Sequence, residues 1–581
     1  MIDLNINIQR AIRILTCAAL ASGYSVFANA TPEVKTTLPV SIQQNNEFRD
    51  SVMHAVREAM VNEIAKKETK PDVSMDARWV NGGHPIINWA MQVSVYSEGK
   101  QVGEGHVNTK SLTNGLIKAT HKAVVAANLN EEQWKKARLK VTFYYPPDSR
   151  QYSFVDDGKK SAEFIGNIVP VRVMDTDLIK RRILSEKAYL LRVMDPKMHA
   201  FFKDYNKQTD HRPEKLRTIY TASSLFTLLR VNSALPDPVI EENVKPIAEF
   251  LLMMQEHTGK NAGAFHYSYN KITRKKDNRF VVGTASKTIF TLLMLNEKTH
   301  DPKYLNAAKE AGNWLMTKVD EEGRVNPVVI RGKKKWIQVK KQSFLYSGQV
   351  LSALSRLYHV THDKAYYDKA TLIAERFVKH VEKNGPFVGD DFRTPNSVST
   401  SWMVMSLVDY AKINKAPIYR HTISRCAKEL VARQANDRND VFNLGRVVDL
   451  ISASGNGWVN EVMTVLYPFC QAEKMPGCGS YHDFILNSSR WLMQNVYTPT
   501  NSITVKNPEA ASGGAIPNFL ANIVRTDAVC HGGNSLVGLL DMVGSKEQTL
   551  MVLPEMSIEE VLTLLGIGKF PEICGCKSGL K

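Results

Sequence analysis

The sequence predicts a mainly α chain: an α/α toroid of helical hairpins preceded by a smaller α+β domain. Three observations carry that expectation. Thr299-His300-Asp301 with Tyr304 and Ala308 recurs as Thr361-His362-Asp363 with Tyr366 and Ala370, a spacing of 62. Apolar helix patterns flank each copy, and long glycine-containing loops separate one unit from the next. Ahead of these repeats, apolar spacing switches between helical steps of three and four and the alternation of a strand.

The first 30 residues read as a secretory signal. Arg10 and Arg13 precede an apolar stretch over 14–27, and Ala28-Asn29-Ala30 gives the small-x-small pattern of a cleavage site before Thr31-Pro32. The stretch is shorter than the ~20 residues a membrane helix needs, and charges interrupt every later apolar run, so no membrane span is expected. Residues 31–45 are polar and proline-containing and read as a linker. Loss of Cys17 with the signal leaves Cys426, Cys470, Cys478, Cys530, Cys574 and Cys576 for an oxidising compartment. Cys470 and Cys478 bracket a short loop and are the first expected pair. Four tightly spaced zinc ligands are absent, so neither a metal nor another cofactor is expected.

Residues 46–205 read as the α+β domain. Val52, Ala55, Val56, Ala59 and Met60 line one face of a helix over 48–67. Alternation over 89–96, the turn Glu98-Gly99-Lys100 and renewed alternation over 101–107 predict a hairpin. A helix over 112–127 and a strand over 137–145, stopped by Pro146-Pro147, complete the order helix–strand–strand–helix–strand. The run from Met91 through Glu98-Gly99-Lys100, the 112–127 helix and Glu131-Glu132-Gln133-Trp134 resemble the AMMECR1 family. That family's Arg-Gly-Cys strand motif is replaced by Val102-Gly103-Glu104, so no site built on its cysteine is carried over.

Residues 206–545 repeat as helix, acidic turn with a tyrosine, helix, glycine loop. Residues 218–229 parallel 284–293, residues 399–411 pair with 419–433, and fainter copies extend to 543. Units of this kind cannot bury their apolar faces alone and must stack; five or six hairpins closing on themselves give a toroid, followed by an extension over 546–581. An open solenoid has shorter, more regular units without these loops. His300 and His362 occupy equivalent turns, a symmetry that argues for capping rather than chemistry.

The loops carry Gly263-Ala264-Phe265-His266-Tyr267-Ser268-Tyr269, Glu321-Glu322-Gly323 and Gly385-Pro386-Phe387-Val388-Gly389-Asp390-Asp391. With Tyr346-Ser347-Gly348, the Asp-x-x-Tyr turns and Arg525-Thr526-Asp527 through His531, they resemble the six-hairpin glycosidase-like superfamily, in particular its glucuronyl C5-epimerase-like branch. The resemblance implies loops gathered at one mouth of the ring. It leaves hydrolase, lyase, epimerase and non-catalytic roles open.

Glycoside hydrolysis requires two carboxyl groups on opposite sides of the bond. Asp390 or Asp391, partnered by Glu322 or Asp527, is one arrangement; a polar cap of the loop is the alternative for Asp390 and Asp391. Tyr267 is the candidate for proton transfer in uronate epimerisation or elimination. Tyr269, Tyr346, His266, His531 and Arg393 are candidate sugar contacts, against ordinary packing or a solvated surface. A net charge of +17 suits an anionic ligand, but no basic stripe with interleaved aromatics points to nucleic acid. The sequence thus reads as a periplasmic or secreted protein that binds or modifies an acidic or cell-envelope glycan. The alternatives are a non-catalytic module with a protein partner in the envelope, or a secreted effector.

Overall fold

The computed structural model describes residues 46–71, 89–109, 111–145, 150–156, 161–164, 171–332, 335–438, 441, 443–450, 452–498, 501–502, 505–516 and 523–553. The signal, the linker, Cys574 and Cys576 lie outside the described residues.

The first unit is an antiparallel sheet covered by helices. Helix α1 (Asn46–Ile64) precedes β1 (Trp89–Ser97), β2 (Lys100–Thr109), α2 (Leu112–Ala127), α3 (Glu131–Lys136), β3 (Arg138–Tyr145), β4 (Arg150–Asp156) and β5 (Ser161–Phe164). The strand order is β2-β1-β3-β4-β5. Met91, Val93 and Val95 alternate inward with Leu139 and Val141 and meet Leu112, Leu116 and Ala119 of α2, with Val52 and Val56 of α1 behind them. Gly103 and Gly105 let α2 lie against β2: a Cβ at Gly105 would sit 2.1 Å from the Ala119 carbonyl oxygen. The expected order of elements is present, and α3, β4 and β5 add to it.

The rest of the described chain alternates outer and inner helices. The outer set is α4 (Thr176–Val193), α6 (Pro238–Met253), α8 (Pro302–Met316), α10 (Lys364–Asn384), α12 (Pro417–Val431) and α14 (Cys478–Gln494). The inner set is α5 (Thr218–Ala234), α7 (Val282–Thr299), α9 (Phe344–Thr361), α11 (Ser397–Ala411), α13 (Ala453–Ala472) and α15 (Thr526–Val543). Each inner helix packs on the next, and α15 packs back on α5, so the ring closes. Residues 204–206 pair with 523–525 across the same seam. One contiguous core runs around the ring and starts at Val171. The domain boundary expected at 205 is therefore corrected: α4 and the segment after it belong to the ring, because Ile179, Ile183, Tyr189 and Leu190 are buried in the ring core.

The short turns are built for helix initiation. Asp237, Asp301 and Asp363 accept from the amides of Val239, Lys303 and Ala365, and Pro238 and Pro302 open their helices. His300 and His362 do share one job: each ends its helix in the left-handed conformation, at φ 55° and 57°. Inner helices carry serines and threonines whose hydroxyls bond back along the helix, as Thr288 does to Thr284 and Ser406 to Trp402. Cys470 and Cys478 form a disulfide, while Cys426 and Cys530 are free and buried.

Because the hairpins are antiparallel, every long outer-to-inner connection falls at the N-terminal ends of the inner helices. The loops do gather at one mouth, and short ladders stitch them, 215–217 to 268–270 and 279–281 to 328–330. Four loop glycines press against outer-helix backbone. Gly263, Gly323, Gly445 and Gly513 have φ between 71° and 94°, and a Cβ on each would lie 1.9–2.3 Å from the carbonyl oxygen of Glu310, Leu372, Asn487 and Ser185 respectively.

Candidate functional site

A polar stripe runs down the inner helices in steps of four and three residues. Five residues beyond the first residue of α7, α9, α11, α13 and α15 stand Lys287, Gln349, Trp402, Trp458 and His531. Lys287 shows that this level faces the lumen, because it contacts helices that are not neighbours of α7. Its Nζ lies 5.0 Å from the ring of Trp402 and 4.8 Å from that of Trp458. Those two indoles stack at 3.9 Å between centroids with an interplanar angle of 19°. Burial pushes the Lys287 amine below the ordinary lysine range, against the opposing pull of Glu461.

His531 stands edge-on to Trp458, with centroids 5.2 Å apart. Its Nδ1 is 2.6 Å from Oε2 of Glu461, whose Oε1 accepts from Asn534 at 3.1 Å. Burial raises the Glu461 pKa, but the hydrogen bond and charge of His531, helped by Lys287 and Arg230, outweigh it and hold the carboxyl below its usual range. An ionised Glu461 keeps the proton of His531 on Nδ1 and leaves Nε2 as a base. The side chain of Glu461 is 5% exposed and that of His531 15%, so the orienting group is buried and the oriented one is reachable.

Toward the mouth, Asp527 is clamped by Arg525 through Nε at 2.9 Å and Nη2 at 2.6 Å, and accepts from Ser454 Oγ at 3.0 Å. Burial opposes its ionisation, yet Arg525 more than compensates and Asp527 stays below the usual carboxylate range. Arg525 also reaches Tyr220 Oη at 3.5 Å; burial, then the charge of Asp527, pushes that phenol up. The guanidinium groups of Arg217 and Arg279 lie over the Tyr267 ring, 4.9 and 4.7 Å from its centroid. Tyr346 sits in the field of Tyr267, Arg279 and Arg393, its own pKa raised mainly by burial.

Of the residues singled out from sequence, Tyr267, Tyr346, Asp527 and His531 come together at the mouth end of the lumen, here called the front chamber, with exposed Arg393 near Tyr346. Five candidates stand elsewhere, for physical reasons. Asp390 accepts from the amides of Phe344, Phe392 and Arg393, and Asp391 from that of Gln342, so both cap loop and helix backbone. Glu322 is 65% exposed and pairs with Arg324. His266 is packed on Phe280 with Nδ1 on the Asp277 carbonyl at 2.5 Å. Tyr269 packs edge-on to Phe250 in the hairpin behind the mouth.

Sequence reasoning missed Lys287, Trp402, Trp458, Glu461, Tyr220 and Arg525. Lys287, Trp402 and Trp458 share one step from their helix starts, a signal visible only once those starts are aligned; Glu461, Tyr220 and Arg525 carry no such signal. Among the described residues no cluster of metal-ligating side chains occurs, and no helix is long and apolar enough to cross a membrane.

No family model and no curated protein matches the chain. Solved structures similar to it include an unsaturated glucuronyl hydrolase specific for heparin, at 12% identity and TM-score 0.47 over 63% of this chain and 98% of that one. A cellobiose 2-epimerase from Bacillus thermoamylovorans is similar at 12% and 0.49, over 63% and 99%. A family 76 glycoside hydrolase from a bovine Bacteroides thetaiotaomicron strain is similar at 13% and 0.45, over 79% and 94%. These are likenesses to six-hairpin glycosidase-like enzymes; the closure of the ring in this chain rests on its own helix contacts.

Proposed function

We propose that this is an exported protein whose front chamber binds an acidic carbohydrate and moves a proton at carbon, with His531 as the base. The observation that carries the reading is the His531–Glu461 pair set below a wall of tyrosines and guanidinium groups. Export rests on the N-terminal charge, apolar stretch and small-x-small pattern.

The chemistry follows from the groups present. Arg217, Arg279 and Lys287 supply positive charge for a uronate carboxylate, and the part-buried Tyr267 and Tyr346 border the sugar ring. Neutralising that carboxylate acidifies the adjacent C–H, which an imidazole Nε2 can remove. Tyr346 and Tyr220, both held protonated, are donors for the opposite face. Asp527 is ionised and fully engaged by Arg525 and Ser454, so it lacks the proton a glycosidic general acid must deliver. This favours epimerisation or elimination over hydrolysis.

The test uses the mature protein with uronic-acid oligosaccharides in deuterium oxide. Binding by calorimetry should weaken at high salt, and mass spectrometry should find deuterium at carbon or an unsaturated product. His531→Ala should abolish the exchange, by about 10²-fold or more, while keeping the melting temperature. Absence of binding to any uronate sinks the reading. Binding without exchange in the wild type would make the ring a glycan-binding module.

A further inference from the structure

The lumen does not end at Trp402 and Trp458. Below them the stripe continues with Phe226 and Phe290, then Met294, Arg356 and Asp409. These residues line a cavity of about 540 Å³ that lies toward the C-terminal ends of α7, α9 and α11, at the end of the ring opposite the long loops. Phe290 stands between the level of Lys287 and this cavity, with Lys287 Nζ 5.6 Å and Arg356 Cζ 4.2 Å from its ring. The volume is within the range of small-molecule sites.

Its polar groups converge at the floor. Arg356 spends only its Nε on Asp409, at 2.9 Å, and no described residue accepts from its two terminal amino groups. Asp409 is 4% exposed and has Lys412 as a second, looser partner at 3.7 Å. Ser355, 1% exposed, lines the same space with its hydroxyl unpartnered. Phe226 and Phe290 close the inner end, Leu293 and Met294 lie beside the polar groups, and the outer part mixes Ile413 and Val360, which is 44% exposed, with Asn296, Glu297, His359 and Lys412.

We propose that this back chamber is a second ligand site, for a medium-chain carboxylic acid whose carboxylate meets the free fork of Arg356. The chain runs outward along Leu293 and Met294 toward Val360 and Ile413. This polarity also fits the helix ends, because the C-terminal carbonyls at the rim disfavour an anion there and their influence fades within the last turn. A bidentate guanidinium–carboxylate contact in a half-open cavity supplies direction, and the apolar part of the lining supplies affinity.

The experiment is calorimetric and thermal-shift titration of the full chain with octanoate, with octanol as the uncharged control. Octanoate should bind saturably and raise the melting temperature, and octanol should bind about tenfold more weakly or worse. Met294→Trp, which fills the chamber without unpairing a charge, should abolish octanoate binding and leave uronate binding at the front intact. The paired change Arg356→Gln with Asp409→Asn removes the fork without stranding a buried charge, and should weaken octanoate by about tenfold or more. No saturable octanoate binding, equal binding of octanol, or unchanged binding by Met294→Trp would each overturn the assignment.

Discussion

At the scale of single residues, the site depends on carboxylates that stay charged where burial alone would neutralise them. Asp527 and Glu461 both titrate below their ordinary range, held there by Arg525 and His531 against desolvation. A depressed folded-state pKa adds stability that is complete above the unfolded value and disappears as pH falls through the folded one. The protein should therefore lose stability from about pH 4 downward. Asp527→Asn should cost about 1–2 kcal/mol near neutrality, discounted because Arg525 is 36% exposed. It should also lose less than the wild type on acidification. Melting curves across that acid range check this, and parallel pH profiles for the two proteins would refute it. Tyr267, Asp527 and His531 were legible from sequence because they sit beside loop signatures. Lys287 and Glu461 were not, because a charged residue inside an apolar helix has the same pattern whether it faces solvent, a neighbour or a lumen.

At the scale of elements, the glycine loops do a structural job before any chemical one. The sequence marks them as loops near the mouth. The structure adds that Gly263, Gly323, Gly445 and Gly513 are the points where each loop crosses the following outer helix at backbone contact. Gly513 makes this contact with Ser185 of α4, so the last loop docks on the first outer helix and helps close the ring. Gly385 has a similar φ of 91° but nothing within 4 Å of where a Cβ would stand. Alanine at 445 should destabilise by about 1–3 kcal/mol more than alanine at 385, since both carry backbone strain but only one overpacks. Chemical denaturation of the two variants measures the difference. Equal losses would mean that strain alone, not the close approach, selects glycine.

At the scale of the whole molecule, stability and site share one device, the return of α15 onto α5. Val529, Leu536, Val537, Leu539 and Leu540 are buried at that seam and under the outer shell. Burying five such side chains contributes about 8–15 kcal/mol, comparable with the entire net stability of a domain. A chain ending at residue 516 should therefore lose near-ultraviolet circular dichroism and bind a hydrophobic dye, rather than behave as a shortened solenoid. Cooperative unfolding of that truncated chain would instead indicate an open stack of hairpins. The same helix carries Asp527 and His531, so closure completes the front chamber as well as the core.

Spacing along the chain is enough to give the hairpin repeat, the acidic turns at Asp301 and Asp363, the Cys470–Cys478 pair and the α+β unit ahead of the ring. These are written in local spacing, where neighbours along the chain are neighbours in space. Long-range packing was needed to show that residues 171–205 belong to the ring and that Asp390 and Asp391 are caps. It alone brought Lys287, Trp402, Trp458 and His531 to one level of the lumen, with Glu461 against His531. The reason is geometric: a lumen exists only once six helices have closed, and no segment of the chain records which of its faces will look inward until the last helix meets the first.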